Sequence, residues 1–241
     1  MSDGSWIGLF SGGKDSTWAI HDASTSGLAV DRLLTVDPAG DSYLFHRPTI
    51  SVTDDLAAGM GIPIQHVSLA ADERTTQTAS DHGDRELAVL QEGIVSLRDQ
   101  LDTPLAGLVA GAVESQFQYD RLHTLCEELD LSLHAPLWQC SADEALRTMI
   151  GSGFDIRITA VAAAGFDESW LGRKLDLDAL ASLHTLREEY GIHLMGEGGE
   201  YETLVVAGPH LTGRLEIEWH TEWDGVRGQL VIESAELTTR L

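Results

Sequence analysis

Ser11-Gly12-Gly13-Lys14-Asp15-Ser16 and Gly196-Glu197-Gly198-Gly199-Glu200-Tyr201-Glu202-Thr203 are the two segments of this 241-residue chain whose residue types and spacing point to chemistry. The first follows the apolar run Trp6 to Phe10 and opens a helix-like stretch, Thr17 to Ala23. A strand, a glycine turn and a helix N-terminus aim backbone N–H groups and the positive end of a helix dipole at an anion. In such a cradle Ser11, Gly12, Gly13 and Ser16 supply backbone and hydroxyl donors, and Lys14 supplies a point charge. The segment lacks the second glycine and the Gly-Lys-Ser/Thr ending of a Walker A loop, which argues against an ordinary kinase or GTPase. Asp15 is open between a helix-capping role and a metal-ligand role. The second segment sets Glu197, Glu200, Tyr201 and Glu202 among glycines that permit unusual backbone angles. It reads either as a solvated loop or as carboxylates facing a ligand across from the first segment.

Composition sharpens the reading of Lys14. The chain has 15 Lys+Arg against 39 Asp+Glu, and only Lys14 and Lys174 among its basic residues are lysines. Both lie in glycine-bearing motifs, Ser-Gly-Gly-Lys and Leu-Gly-Arg-Lys, so both are functional candidates. The net charge of −24 is spread in single residues and pairs such as Glu127-Glu128 and Glu188-Glu189, which points to a salt-rich, halophilic cytoplasm rather than an acidic docking block. In molar salt the screening length falls to about 3 Å and self-repulsion is damped. The same balance argues against non-specific nucleic-acid binding, which needs Lys/Arg contacts to phosphate. Cys126 and Cys140 are too few and too far apart for a zinc knuckle or a redox pair, and Cys126 reads as a helix-face core residue. With no apolar run near the roughly 20 residues of a membrane span and no signal segment, a soluble, cytoplasmic protein is expected.

The elements that must position these residues alternate. After the first strand and helix, Arg32 to Val36 reads as a buried strand ending at the turn Asp37 to Gly40. Asp54 to Met60 follows as a short helix, then Pro63 to Leu69 as a third strand and Ala71 to Gly83 as a loop. Leu87, Leu90, Ile94, Leu97 and Leu101 recur at helical spacing. Leu105 to Val113 reads as a central strand, Leu122 to Leu129 as a helix and Leu131 to His134 as a further strand. Such βα alternation implies a parallel sheet with helices on both faces, and ligands then bind beyond the carboxyl ends of the strands. The pattern changes after Pro136. Ser141 to Glu144 has the form of a capping box, and Leu177, Leu180, Leu183, Leu186 and Tyr190 form a helical stripe that stops at Gly191. Asp155 to Ala162, Arg214 to Trp219 and Gln229 to Glu233 read as strands, the last two around a turn at Asp224-Gly225. The fold class is therefore α/β, with a doubly wound parallel nucleotide-binding sheet over residues 1–135 and a smaller α+β domain over 136–241.

Ser11 to Ser16 resembles the pyrophosphate loop of the ATP pyrophosphatase superfamily, whose adenine nucleotide α-hydrolase-like (HUP) fold supports cleavage of ATP between its α- and β-phosphates. Several blocks join it in order: Ser42-Tyr43-Leu44-Phe45-His46, Gly111-Ala112, Pro136-Leu137-Trp138, Asp167 to Lys174 and Gly196 to Thr203. Together they resemble the diphthine–ammonia ligase family, in an acidic archaeal-type form. The departures are small: Leu44 stands where methionine is usual, and Gln116-Phe117 where an acidic residue and tyrosine are common. The resemblance implies the amidation of diphthine on elongation factor 2, with ATP and ammonium as co-substrates and Mg²⁺ bridging the phosphates. The carboxylate is activated as an acyl-adenylate, ammonia displaces AMP, and the β,γ-pyrophosphate must be stabilised as a leaving group. In this reading Lys14, Asp15, Glu197 and Glu200 are catalytic, and Asp15 is the metal ligand. Ser11 to Ser16, Val36, His46 and Gly111 hold the nucleotide. Trp138, Trp170, Lys174, Glu197, Glu200, Tyr201 and Glu202 meet the substrate, whose trimethylammonium group is attracted by carboxylates and aromatic faces.

Other classes remain distinct. A transfer-RNA thiolation enzyme needs catalytic cysteines, and a glutamine-dependent amidotransferase needs a glutaminase domain with a nucleophilic cysteine. A PP-loop ATPase acting on another substrate such as tRNA, or a sensor that holds ATP intact, would share the first motif only. A homodimer is compatible with the sequence.

Overall fold

In the computed structural model of the protein, residues 4–37, 48–68 and 79–239 are described. The Ser42 to His46 block, the turn after Asp37 and most of the Ala71 to Gly83 loop lie outside them, so His46 has no structural account. The first half alternates β1 (Ser5–Leu9), α1 (Lys14–Thr25), β2 (Ala29–Asp37), α2 (Pro48–Met60), β3 (Ile64–Ser68), α3 (Ala79–Arg98), β4 (Leu105–Val109), α4 (Gln116–Leu129) and β5 (Ser132–His134). The five strands form a parallel sheet in the order β3-β2-β1-β4-β5. The chain reverses its direction of sheet growth at β1, so the crevice beyond the ends of β1 and β4 is the topological switch point.

Side-chain alternation explains the two covered faces. Ile7, Leu34 and Leu108 pack with Leu90, Ile94 and Leu97 of α3 and with Leu125 and Cys126 of α4. Trp6 and Leu33 pack with Ala19 and Ile20 of α1 and with Val52 and Leu56 of α2 on the other side. Full burial of such side chains contributes about 1.5–3 kcal/mol each relative to leaving them in water.

The second half comprises α5 (Ala142–Gly151), β6 (Asp155–Val161), a 3₁₀ turn over Glu168–Trp170, α6 (Leu177–Tyr190), β7 (Tyr201–Ala207), β8 (Gly213–Trp223) and β9 (Gly228–Thr239). Ser141 caps α5 by accepting from the Glu144 backbone N–H, as the capping-box pattern predicts. The four strands close into a small antiparallel barrel in the order β6-β7-β8-β9. The structure differs from the sequence reading in the strand β7, which starts inside the second glycine motif, in the closure of the barrel, and in helix starts that come earlier than expected, α2 at Pro48 and α3 at Ala79, the latter inside the expected Ala71 to Gly83 loop. Strand β7 is stabilised by antiparallel pairing to β6, a long-range term that no local pattern carries. Phe154, Leu204 and Leu230 of this half share one buried cluster with Trp6 and Leu33 of the first.

Candidate active site

The glycine turn after β1 is held by its own polar atoms. Gly12 has φ of +78°, a left-handed conformation that side chains disfavour. Ser11 and Ser16 hydroxyls lie 3.1 Å apart, and Ser16 Oγ accepts from the Ser11 N–H at 3.2 Å. Gly13 is the N-cap of α1 and provides no side-chain cap. Asp15 therefore lies in the first helical turn and is not the cap, which settles one of its two sequence readings. Gly111, beyond the end of β4, admits no side chain: a Cβ there would stand 2.6 Å from the Ser16 nitrogen. That close approach seats α1's first turn at the switch point. Val36 is half-buried near the end of β2, on the same carboxyl edge of the sheet.

Lys14 does not extend freely into this turn. It is 3% exposed, and its Nζ donates to Asp15 Oδ2 at 2.8 Å and to the Met195 carbonyl at 2.6 Å. The same ammonium stands 5.3 Å from the Tyr201 ring centroid. Burial alone would lower the Lys14 pKa, but the neighbouring Asp15 and Tyr201 outweigh it and raise it, so the side chain stays charged. Asp15 is 27% exposed, and its second oxygen, Oδ1, is buried with no hydrogen-bond partner. Thr17 Oγ1, one turn into the same helix, is buried and unpartnered as well. Buried polar atoms are nearly always satisfied, so such orphans suit a group that arrives with its own charge or donors.

The second motif folds against the first. Glu200 Oε1 accepts from the His193 N–H and Oε2 from the Gly198 N–H, both at 2.8 Å, so both oxygens hold their own loop. Glu197 Oε2 accepts from the Glu114 N–H at 3.3 Å, and Glu114 Oε2 lies 3.4 Å from His193 Nε2. The loop is thereby tied to the chain that follows β4. Tyr201 is 3% exposed and its hydroxyl donates to the Leu194 carbonyl; burial pushes its pKa up to about 12. Glu202 follows on β7, opposite Ala160. Burial raises its carboxyl pKa, Lys14 partly opposes that, and Asp15 adds to it.

Trp138, Trp170 and Tyr201, the aromatics expected to meet the substrate's trimethylammonium group, do not come together. Trp170 is 5% exposed, with Phe166 at 5.0 Å and the Arg173 guanidinium 4.4 Å from its ring centre. Phe166 also contacts Tyr201, so Trp170 and Tyr201 belong to one buried aromatic run and present no open face for a cage. Trp138 is elsewhere, half-buried, and stacked on Tyr119 at 4.1 Å. Lys174 is exposed and pairs through its backbone with Arg157 of β6, where its charge acts on Asp155.

A doubly wound parallel sheet with a glycine turn into α1 at its switch point defines an α/β protein of the PP-loop, HUP type. The diphthamide synthase N-terminal domain matches residues 4–133 and the diphthamide synthase C-terminal domain matches residues 141–238, so the chain belongs to the diphthamide synthase family. The diphthine–ammonia ligase of Danio rerio is 31% identical over 226 residues, which cover 88% of this chain and 86% of that protein. That of Homo sapiens is 30% identical over 240 residues, covering 95% and 85%. That of Saccharomyces cerevisiae is 29% identical, and there the match covers 34% of a longer protein. Among the described residues no helix is long and apolar enough to cross a membrane, and no group of three or more His, Cys, Asp or Glu could hold a metal ion.

Thr203 is the residue that reading of the sequence missed. Its hydroxyl accepts the Lys14 backbone N–H at 3.1 Å. The only local hint is that Gly13, with no side chain, leaves α1 needing a cap from elsewhere.

Proposed function

We propose that the chain is a diphthine–ammonia ligase: it uses ATP and ammonia to amidate diphthine on elongation factor 2 in the cytoplasm, releasing AMP and pyrophosphate. The observation that carries this reading is the junction of the two motifs, with Lys14 of the first bonded to Met195 beside the second. Nucleotide-side and carboxylate-side groups thus share one site, as an adenylating enzyme requires. We assign the nucleotide to residues 1–135 and the protein substrate mainly to 136–241, with β7 shared between them.

Ser11, Gly12, Gly13 and Ser16 hold the β- and γ-phosphates through backbone and hydroxyl donors, with Val36 and Gly111 shaping the adjacent crevice. Lys14 carries a permanent charge beside the turn and holds Asp15 in place. The unpartnered Asp15 Oδ1 would hold Mg²⁺, and Mg²⁺ when bound would supply charge that offsets the departing pyrophosphate. Glu202, whose carboxylate burial makes a stronger base, accepts a proton from ammonium to leave nucleophilic ammonia. Glu197 attracts ammonium or the trimethylammonium of diphthine, with Trp138 as the accessible aromatic. Glu200 acts by shaping the loop. The test is the fate of ATP labelled in the α- and γ-phosphates in the complete reaction. AMP and pyrophosphate support the proposal, and ADP with phosphate contradicts it.

A further inference from the structure

We infer that Thr203 is a positioning residue for the phosphate-binding turn, acting as a helix cap supplied from the other half of the chain. The inference rests on the ATP-binding reading above and adds a residue to it. A helix leaves its first four N–H groups without intrahelical partners, and a Ser, Thr, Asp or Asn at the N-cap ordinarily takes one of them. Here the N-cap is Gly13, which has nothing to offer. Thr203, 189 positions away on β7, fills the role with its hydroxyl at 3.1 Å from the Lys14 nitrogen. A second bond makes the attachment directional: the Val205 N–H donates to the Gly12 carbonyl at 2.9 Å. That carbonyl belongs to Gly12, the left-handed residue of the turn, so β7 is bonded to the turn where its backbone changes direction. Gly13 faces the same strand at ordinary contact distance, where an added Cβ would lie 3.5 Å from the Thr203 carbonyl oxygen.

The division of donors follows. Thr203 satisfies the Lys14 N–H and holds the mouth of α1 in register. The Lys14 side chain is anchored on the same C-terminal segment through Met195. Phosphate oxygens then meet a turn that is already shaped, and the ordering cost is met on folding rather than on binding. Loss of the hydroxyl loosens the turn in the free protein and lowers affinity for the nucleotide.

Thr203→Val keeps the shape and the strand preference and removes only the hydroxyl, whereas Thr203→Ser keeps the hydroxyl. Titration calorimetry with Mg·ATP, and separately with inorganic pyrophosphate, is run on the full chain and both variants, beside thermal unfolding. The expected result is about tenfold weaker binding of both probes by Thr203→Val, the size of a lost helix cap. Thr203→Ser binds within about twofold of the parent, and the melting temperature of Thr203→Val falls by only a few degrees. Equal Mg·ATP affinity in Thr203→Val and the parent overturns the inference, and so does a loss in Thr203→Ser as large as that in Thr203→Val. A parent that binds Mg·ATP but does not amidate refutes the proposed reaction and leaves the positioning role standing. A parent that binds no Mg·ATP overturns both.

Discussion

Removing the Lys14 ammonium is expected to damage stability and turnover together, through separable causes. The side chain is 3% exposed and donates to Asp15 and to the Met195 carbonyl. In Lys14→Ala, a carboxylate that is 27% exposed loses its ion-pair partner among the described residues and a buried carbonyl loses a charged donor. Breaking a buried pair by deleting one partner costs about 3–5 kcal/mol, and the partial exposure of Asp15 argues for the lower end, about 3 kcal/mol. For a chain of this length each kcal/mol moves the melting point by about 2–4 °C, so the loss is about 6–12 °C. The raised Lys14 pKa contributes stability that is complete below the ordinary lysine value and lost only as pH rises through the folded value, so the drop should be the same from pH 6 to pH 9. Turnover at saturating ATP should fall about a hundredfold, because the charge beside the phosphate turn is lost and Asp15 loses the partner that holds it in place. The double variant Lys14→Met with Asp15→Asn removes both charges together, and should recover most of the melting temperature but none of the turnover. Circular dichroism melts and product formation under saturating substrates provide the two readouts. A Lys14→Ala protein that melts within about 2 °C of the parent would refute the buried network, and one with near-normal turnover would refute the catalytic assignment.

Glu200→Gln places an amide donor against the His193 or Gly198 N–H, so ammonium dependence and protein-substrate dependence should both worsen. Mg·ATP affinity measured by calorimetry should change by less than threefold, because Glu200 holds its own loop. His210, buried against His21 and Phe154 with both ring nitrogens unpartnered, has its pKa pushed down from 6.5 to about 4 by burial. The unfolded chain therefore binds the extra proton between those values, so stability rises with pH across that window and about 3 kcal/mol is lost as pH falls through it. Denaturant titrations of His210→Leu should show a shallower acid slope than the parent. The net charge of −24 predicts a melting temperature that rises steeply between low-salt buffer and molar KCl, where like charges are screened; a melting temperature independent of KCl would contradict the salt-adaptation reading.

The parallel half was readable because each of its elements carries a local signal. Apolar runs become three- and four-residue periodicities at Thr17 and Leu87, and Gly12 and Gly13 mark the turn between β1 and α1. The second half was only partly readable. Tyr201 to Ala207 is a strand because β6 pairs with it, and the glycines and glutamates before it gave the whole region the look of a loop. The Lys14 side chain was expected to reach toward phosphate, but its partner, the Met195 carbonyl, is 181 positions away, and no local pattern marks a backbone oxygen as a ligand. Trp170 and Tyr201 were grouped as cage aromatics on residue type; Phe166, which joins them into a buried run, shows that packing decided their place. Glu200 looked like an active-site carboxylate, yet its glycine neighbours free N–H groups that it captures itself.

The amidation itself is read from the intact mass of diphthine-bearing elongation factor 2 after incubation with this protein, Mg·ATP and isotopically labelled ammonium in molar KCl. The expected result is an acid-to-amide mass change that carries the label, appears only with ATP present, and is matched by one AMP for each factor modified. An unmodified factor alongside intact ATP, or ATP consumed to ADP with no label in the factor, would contradict it.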